Sequence, residues 1–333
     1  VSEEEALLRG MIDRHGDDTA RLVYADWLDE RDDPRGPFLR AEHAWARASG
    51  AADAVLAVAQ LRTTGLDPLW VARVSRPPLG ACCDRVRFDC MGVNSGPPLV
   101  AEDLDAFETK LNVKLPLAYR AFMLNRNGGY PYPDRIEEKG TEWEDWRSVE
   151  SFYMIGPRGW REDHNAKQPS PIRAVHDDPF GELGRLMPLA DYGGMSEWYL
   201  GVDGANAGAV FYHSDPVHAW GDYPFDRVFD SLPQLLARFA HTDPEWVQML
   251  VRNEPEALTK WLDAGGDPNA ENEENEWPPI EYAVQWDRPE LVKLLLARGA
   301  RVTTNAWDIA THMPSVRDLI RAACPKKPKR GRK

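Results

Sequence analysis

The chain has 333 residues, 43% of them hydrophobic and 28% charged, with a formal net charge of −14. That length predicts two or three domains. No apolar run approaches the ~18 residues that a membrane helix needs, which excludes functions built on a helical span within this sequence. Four cysteines, two of them adjacent, make no disulfide framework for a chain of this size and predict a reducing, cytoplasmic setting. The acidic opening Ser2-Glu3-Glu4-Glu5 predicts that no secretory leader is present. The last nine residues, PKKPKRGRK, carry six positive charges and no negative one, which leaves a formal −20 on the other 324 residues. Such a body repels nucleic acid and membrane surfaces and draws in basic partners; solubility is the other use of the same charge.

Residues 1–48 read as a small all-helical module. Ser2 and Glu5 make a capping box ahead of Leu7, Leu8, Met11 and Ile12, and His15-Gly16 ends that helix. In the following stretch Tyr24, Trp27, Leu28, Phe38 and Leu39 are apolar anchors, and Asp32-Asp33-Pro34-Arg35-Gly36 turns one helix into the next. The stretch Arg21–Arg40 closely resembles the bacterial repeat-companion domain, a short module found beside diverse repeats; the resemblance implies no activity. Asp26, Asp29, Glu30 and Asp33 could be read as a metal cluster, but on a helix pair they are expected as exposed charges with Arg35 or Arg40 as partners.

Residues 49–98 form a connecting segment. Val55, Leu56, Val58 and Leu61 predict a helix, Leu69-Trp70-Val71 another anchor, and Val86–Cys90 alternates as a strand does. Cys82, Cys83 and Cys90 lack the paired spacing of a zinc site and are read as small buried residues.

The central domain is expected over residues 99–240. Leu104, Phe107 and Leu111 lie on one helical stripe; Tyr119, Phe122 and Met123 lie on a second, which starts after Leu115-Pro116 and stops at Asn127-Gly128-Gly129. Strands are expected at Gly184–Leu189, Trp198–Val202 and Ala209–His213, with turns at Gly193-Gly194 and Asp203-Gly204 and a closing helix over Ser231–Phe239. The Leu115-Pro116 step, Asn127-Gly128-Gly129, the run MPLADYGG at 187–194 and the closing SLPQLLARF resemble the SUKH superfamily. That resemblance implies an α+β fold with an antiparallel sheet, and a function as a bacterial immunity protein that neutralises a toxin, frequently a nuclease.

Residues 243–323 contain an internal repeat, with Gly265 and Gly299 aligned at 34 residues. The pattern resembles degenerate ankyrin repeats, with Pro278-Pro279-Ile280-Glu281 in place of the usual opening tetrapeptide and a shortened third copy from Trp307 to Ala323. Residues 324–333 are expected as a disordered basic tail. The chain is thus read as multidomain: an all-α module, an α+β SUKH-like domain, α-helical repeats and a tail.

No nucleophile elbow, Walker loop or zinc-protease helix is present in the sequence. His164, His176, His213 and His218 stand near Asp163, Asp177, Asp178 and Asp215, a set read as loop residues without a nucleophile. No cofactor, metal or catalytic residue is assigned. Partner-binding residues are placed in two acidic clusters. One is the loop Glu138, Glu142, Trp143, Glu144, Asp145 and Trp146, where aromatics supply buried area and carboxylates meet Lys or Arg. The other is Glu271, Glu273, Glu274 and Glu276, in the finger of the repeat. The expected partner is a basic protein, a toxin domain, with nucleic acid reached only through Lys326–Lys333 and no membrane. A scaffold or adaptor, or a phage-defence component, is the alternative that three joined modules allow.

Overall fold

The computed structural model describes residues 2–13, 18–47, 65–83, 86, 88, 96–137, 147–155, 176–177, 184–192, 196–213, 225–240, 243–273 and 275–328. The helix expected around Val55–Leu61, the turns at His15-Gly16 and Gly193-Gly194, and most of the strand expected at Val86–Cys90 lie outside them. The chain divides into two compact units, one of residues 1–89 with 93–240 and one of residues 241–333 with 90–92.

The first unit opens with α1 (Glu3–Asp13), α2 (Asp18–Asp29) and α3 (Arg35–Arg47). Ser2 Oγ accepts from the backbone N–H of Glu5 at 3.1 Å, so half of the expected capping box is made; the Glu5 carboxylate bonds instead to Arg9 one turn on. Tyr24, Leu28, Phe38 and Leu39 form the centre of the module core. Asp26 and Asp29 pair with Arg40, and Asp33 pairs with Arg35, which also reaches Glu4 at 2.5 Å. These carboxylates are neutralised by arginines, as their spacing predicts.

In the connecting segment, the anchor expected at Leu69-Trp70-Val71 lies on a short helix. Asp67 caps α4 (Pro68–Val74) through the N–H groups of Leu69 and Trp70. Trp70, Val71 and Val74 pack into the module core, while Leu69 and Ala72 pack into the central core. One helix therefore belongs to two cores. Polar links reinforce the junction: Arg73 Nε donates to Asn125 Oδ1 at 3.0 Å, Asn125 Nδ2 donates to Arg73 O at 2.8 Å, and Arg126 donates to Ile12 O at 3.1 Å.

The central core begins with α5 (Ala101–Leu111) and α6 (Leu117–Asn125), and both predicted stripes point into it: Leu104, Phe107, Tyr119, Phe122 and Met123 are all buried. Pro116 supplies the N-cap of α6. Beyond α6, Asn127 bonds through its side chain to Pro97 O, Ile155 O and Ile155 N, which staples the turn. Gly128 has φ +67°, and a Cβ there would meet Phe152 O at 2.7 Å, so the glycine answers both a left-handed backbone and a close approach.

The sheets follow. In the first, β1 (Arg135–Ile136) lies between β2 (Arg147–Ser148) and β9 (Phe239–Ala240). In the larger one the order is β3 (Ser151–Phe152), β5 (Arg185–Tyr192), β6 (Ser196–Gly201), β7 (Val210–His213) and β8 (Asp226–Phe229), with β4 (His176–Asp177) also paired to β5. Every pairing is antiparallel. Pro188 sits where the β5–β6 register shifts, a place where a missing N–H breaks no ladder. Trp198 and Leu200 face the helices; Tyr199 joins Leu186, Ala209 and Phe211 in a smaller cluster. The expected closing helix is shorter than its periodicity suggests: α7 covers Leu232–Leu236, and Phe239 pairs with Ile136 in β9. Phe239 gains more as a sheet partner packed on Phe152 than as a further helical turn.

Three carboxyls in this unit tie stability to pH. Glu108 is 4% exposed. Burial raises its carboxyl, but Lys114, the Leu115 N–H and Arg120 together outweigh burial and hold it below its ordinary value. Arg35 and Arg185 do the same for Asp33 and Asp203. A group whose folded pKa is depressed contributes stability above its unfolded value and loses it as pH falls through the folded one. Urea unfolding is therefore expected to show stability declining below about pH 4, and more shallowly in Glu108→Gln. Equal slopes in the two proteins would remove Glu108 from the account.

The second unit is a set of helix pairs: α8 (Glu245–Val251) with α9 (Pro255–Asp263), α10 (Pro279–Gln285) with α11 (Pro289–Ala297), and α12 (Thr304–Ala310) with α13 (Pro314–Ala323). The first two pairs repeat at 34 residues, helix for helix. The backbone repeats as well. Asn253 and Asp287 are left-handed between the helices, and Gly265 and Gly299 are left-handed after them. Leu258, Ile280, Leu291, Leu295, Val316 and Ile320 are among the residues buried between the pairs. Among the described residues no helix is long and apolar enough to cross a membrane.

Candidate functional site

The finger between α9 and α10 is a stiff hairpin. Its base is set by Asp267, whose carboxylate accepts from Asn269 N at 2.9 Å. Asn269 then reaches the next repeat, accepting from Arg301 N at 2.8 Å and donating to Gly299 O at 3.2 Å. Across the hairpin Asn272 N donates to Trp277 O and Glu276 N donates to Asn272 O at 2.8 Å, with Glu276 itself at φ +58°. Two amides lock this shape to α10. The buried Asn272 donates to the Tyr282 hydroxyl at 2.7 Å, and that hydroxyl donates to Asn275 Oδ1 at 3.0 Å. Burial raises the Tyr282 phenol, which keeps the donor proton in place.

Glu271, Glu273 and Glu276 project from this frame as exposed carboxylates. Beside them stands a wall of aromatic rings that charge reading alone does not find. Trp277 meets Tyr282 edge-on at 5.5 Å, Trp286 tilts over Tyr282 at 5.3 Å, and Trp246 meets it edge-on at 5.7 Å, with Trp261 6.3 Å from Trp246. Trp261, Trp277 and Trp286 are half-buried, so each keeps part of its ring at the surface. The usable signal was density: five of the thirteen tryptophans fall between residues 246 and 307. Half-exposed indoles among carboxylates can take lysine and arginine side chains, the ring faces meeting the cation and the carboxylates its N–H groups. Glu281, next to this wall, is a different kind of acid. It is 5% exposed and accepts from Thr303 Oγ1 and Asn305 Nδ2, each at 2.5 Å, and so ties α10 to α12.

Of the predicted site residues, the structure brings together Glu271, Glu273 and Glu276. Glu274 and the other cluster, Glu138, Glu142, Trp143, Glu144, Asp145 and Trp146, lie outside the described residues. The ends of that second segment are fixed by pairing of Arg135 with Ser148 and of Ile136 with Arg147. Asp163, His164, Asp178, Asp215 and His218 also lie outside the described residues; His213 is buried on β7 beside Phe225. Cys82 and Cys83 are buried in different cores, Cys82 accepting from Arg21 at 3.5 Å, and Cys90 is outside the described residues. Among the described residues no group of three or more His, Cys, Asp or Glu is placed to hold a metal ion.

Comparison with curated proteins finds no match to the chain. The two helical stripes, the stapled Asn127-Gly128-Gly129 turn and the antiparallel sheet they introduce all fall in one matched segment. Residues 98–238 match the SMI1 / KNR4 family (SUKH-1), and the central domain belongs to it.

Proposed function

We propose that this chain is a non-catalytic protein-binding protein, a bacterial immunity protein that neutralises a toxin by covering its basic active surface. The membership of residues 98–238 in the SUKH-1 family carries this reading, since that family is known for immunity proteins against toxins. The charge supports it: a body of formal −20 suits a partner that must be basic where it meets phosphate, which makes a nuclease the fitting class. The helix pairs are read as ankyrin-like repeats and the N-terminal helices as a repeat-companion module, both serving to present binding surface. Inhibition is steric and electrostatic, without turnover, in the cytoplasm of the producing cell.

Two contact surfaces are assigned, one to Glu271, Glu273, Glu274 and Glu276 with Trp277, and a separate one to the segment 138–146. The test is binding of the purified chain to toxin domains encoded beside it, followed by calorimetry. Affinity is expected at about nanomolar or tighter and to weaken with salt. Trp277→Ala is expected to weaken it by about 30-fold, the scale of a tryptophan hot spot. Trp143→Ala and Glu144→Lys are expected to act in the same direction. If no neighbouring toxin domain binds or is blocked, the immunity reading is abandoned.

A further inference from the structure

The last helix pair holds a contact that the finger does not use. After α13 the chain turns back along α12 and is held there, with a bend at Pro325-Lys326. Trp307 Nε1 donates to Cys324 O at 3.4 Å, Thr304 Oγ1 donates to Pro328 O at 3.2 Å, and Cys324 Sγ donates to Lys326 O at 3.1 Å. Lys327 Nζ lies 2.6 and 2.8 Å from the two carboxylate oxygens of Asp308 and 5.9 Å from the centre of the Trp307 ring. Arg321 stands 5.7 Å from the same ring. The residues expected to begin a free tail are therefore seated as far as Pro328; residues 329–333 lie outside the described ones.

Thr304, Trp307 and Asp308 share one face of α12 by their spacing of three and four. They contact two backbone carbonyls and one ammonium of the returning segment, which is how a helix face reads a lysine-bearing peptide. The occupant is the chain's own, and it is weakly held. Asp308 and Lys327 are each about half exposed, and ion pairs of that kind contribute little. The occupant keeps its place because it is tethered, with an effective concentration on the order of millimolar for so short a connection.

We propose that the outer face of α12 is a binding site for a lysine-bearing segment, filled in the free protein by Cys324–Pro328 and opened when a basic segment of a partner replaces it. The inference rests on α12 and the tail alone and stands whatever the finger binds.

The probe is a fluorescein-labelled peptide of sequence PKKPKRGRK, titrated by anisotropy against the full-length chain and its variants. Lys327→Glu replaces the ion pair with a like-charge contact to Asp308 and loosens the tail without altering α12, so it is expected to bind the peptide several-fold more tightly than the unaltered chain. Lys326→Glu makes the same charge change one residue away and is expected to match the unaltered chain. Adding Asp308→Lys to Lys327→Glu reverses the pair and is expected to return binding to the low level. Equal binding by all four proteins, or binding by none, overturns the proposal, because attraction to the acidic body would then be the whole effect. Asp308→Asn changes a charge and almost no volume, so it serves as a second route. Trypsin is expected to cut after Lys326 several-fold faster in that variant, and an equal rate overturns the docked tail.

Discussion

Replacing Glu42 by Ala is expected to lower the unfolding free energy of the first unit by about 3–5 kcal/mol, the scale of breaking a buried ion pair from one side. Glu42 is 0% exposed. Its carboxylate accepts from Arg76 N at 2.8 Å and lies 3.1 Å from Arg76 Nη1 and 2.9 Å from Arg21 Nη1. Arg21 also donates to Val74 O at 2.8 Å, and Arg76 reaches Asp18 at 2.6 Å. Two guanidiniums inside the protein thus share one carboxylate, and its loss leaves Arg21 buried and charged without a counterion among the described residues. Arg76 retains Asp18, so Arg21 carries most of the penalty. Denaturant titration of Glu42→Ala and of Glu42→Ala combined with Arg21→Met separates the two contributions. The double variant removes the stranded charge and is expected to recover part of the loss. If it is no more stable than Glu42→Ala, the loss arises from packing and the ionic account fails. Because α4 belongs to both cores, the destabilisation is expected to reach the central domain in the same transition.

Phe152→Ala is expected to cost a similar amount, about 3–5 kcal/mol, through lost burial and the cavity left behind. Phe152 is 2% exposed, with Phe122 at 5.0 Å, Phe88 at 5.9 Å and Phe239 at 6.2 Å between ring centres. Four rings from four different parts of the chain meet there, so no single element can close over the gap. Phe152 also exchanges both backbone hydrogen bonds with Gly129, at 2.9 and 3.1 Å, which fixes the chain leaving α6 against the sheet. Phe152→Leu keeps much of the volume and is expected to retain most of the stability. Equal losses for Ala and Leu would point to ring–ring geometry as the main term and overturn the cavity account. Binding by the finger belongs to the other unit, and either variant is expected to leave that surface intact while the repeats remain folded.

The parts of the protein legible in sequence are those governed by short-range rules. The stripes of α5 and α6 follow from helical periodicity, and Asn127-Gly128-Gly129 follows from the need for a left-handed turn after a helix. The repeat shows in sequence because its left-handed positions, Gly265 and Gly299, need glycine. The arginine partners of Asp26, Asp29 and Asp33 are legible for the same reason: a helix hairpin places them within reach. Where periodicity and tertiary packing disagree, at Phe239, packing decides, because a sheet partner and an aromatic neighbour outweigh one more helical turn.

The candidate site divides in the same way. Glu271, Glu273 and Glu276 are visible as a charge cluster in a turn. The aromatic wall beside them is not, since Trp246, Trp261, Trp277 and Trp286 come from separate elements and meet only around Tyr282. The sequence by itself determined the SUKH-like core, the 34-residue repeat and the acidic body with its basic end, all of which rest on local pattern or on summed charge. Only the tertiary structure decided that α4 serves two cores, that the finger is locked by Asn272 and Asn275, and that Lys327 is seated on Trp307 and Asp308. The physical reason is that these contacts join side chains from separate elements, and the energy that selects them depends on burial, which sequence spacing does not record.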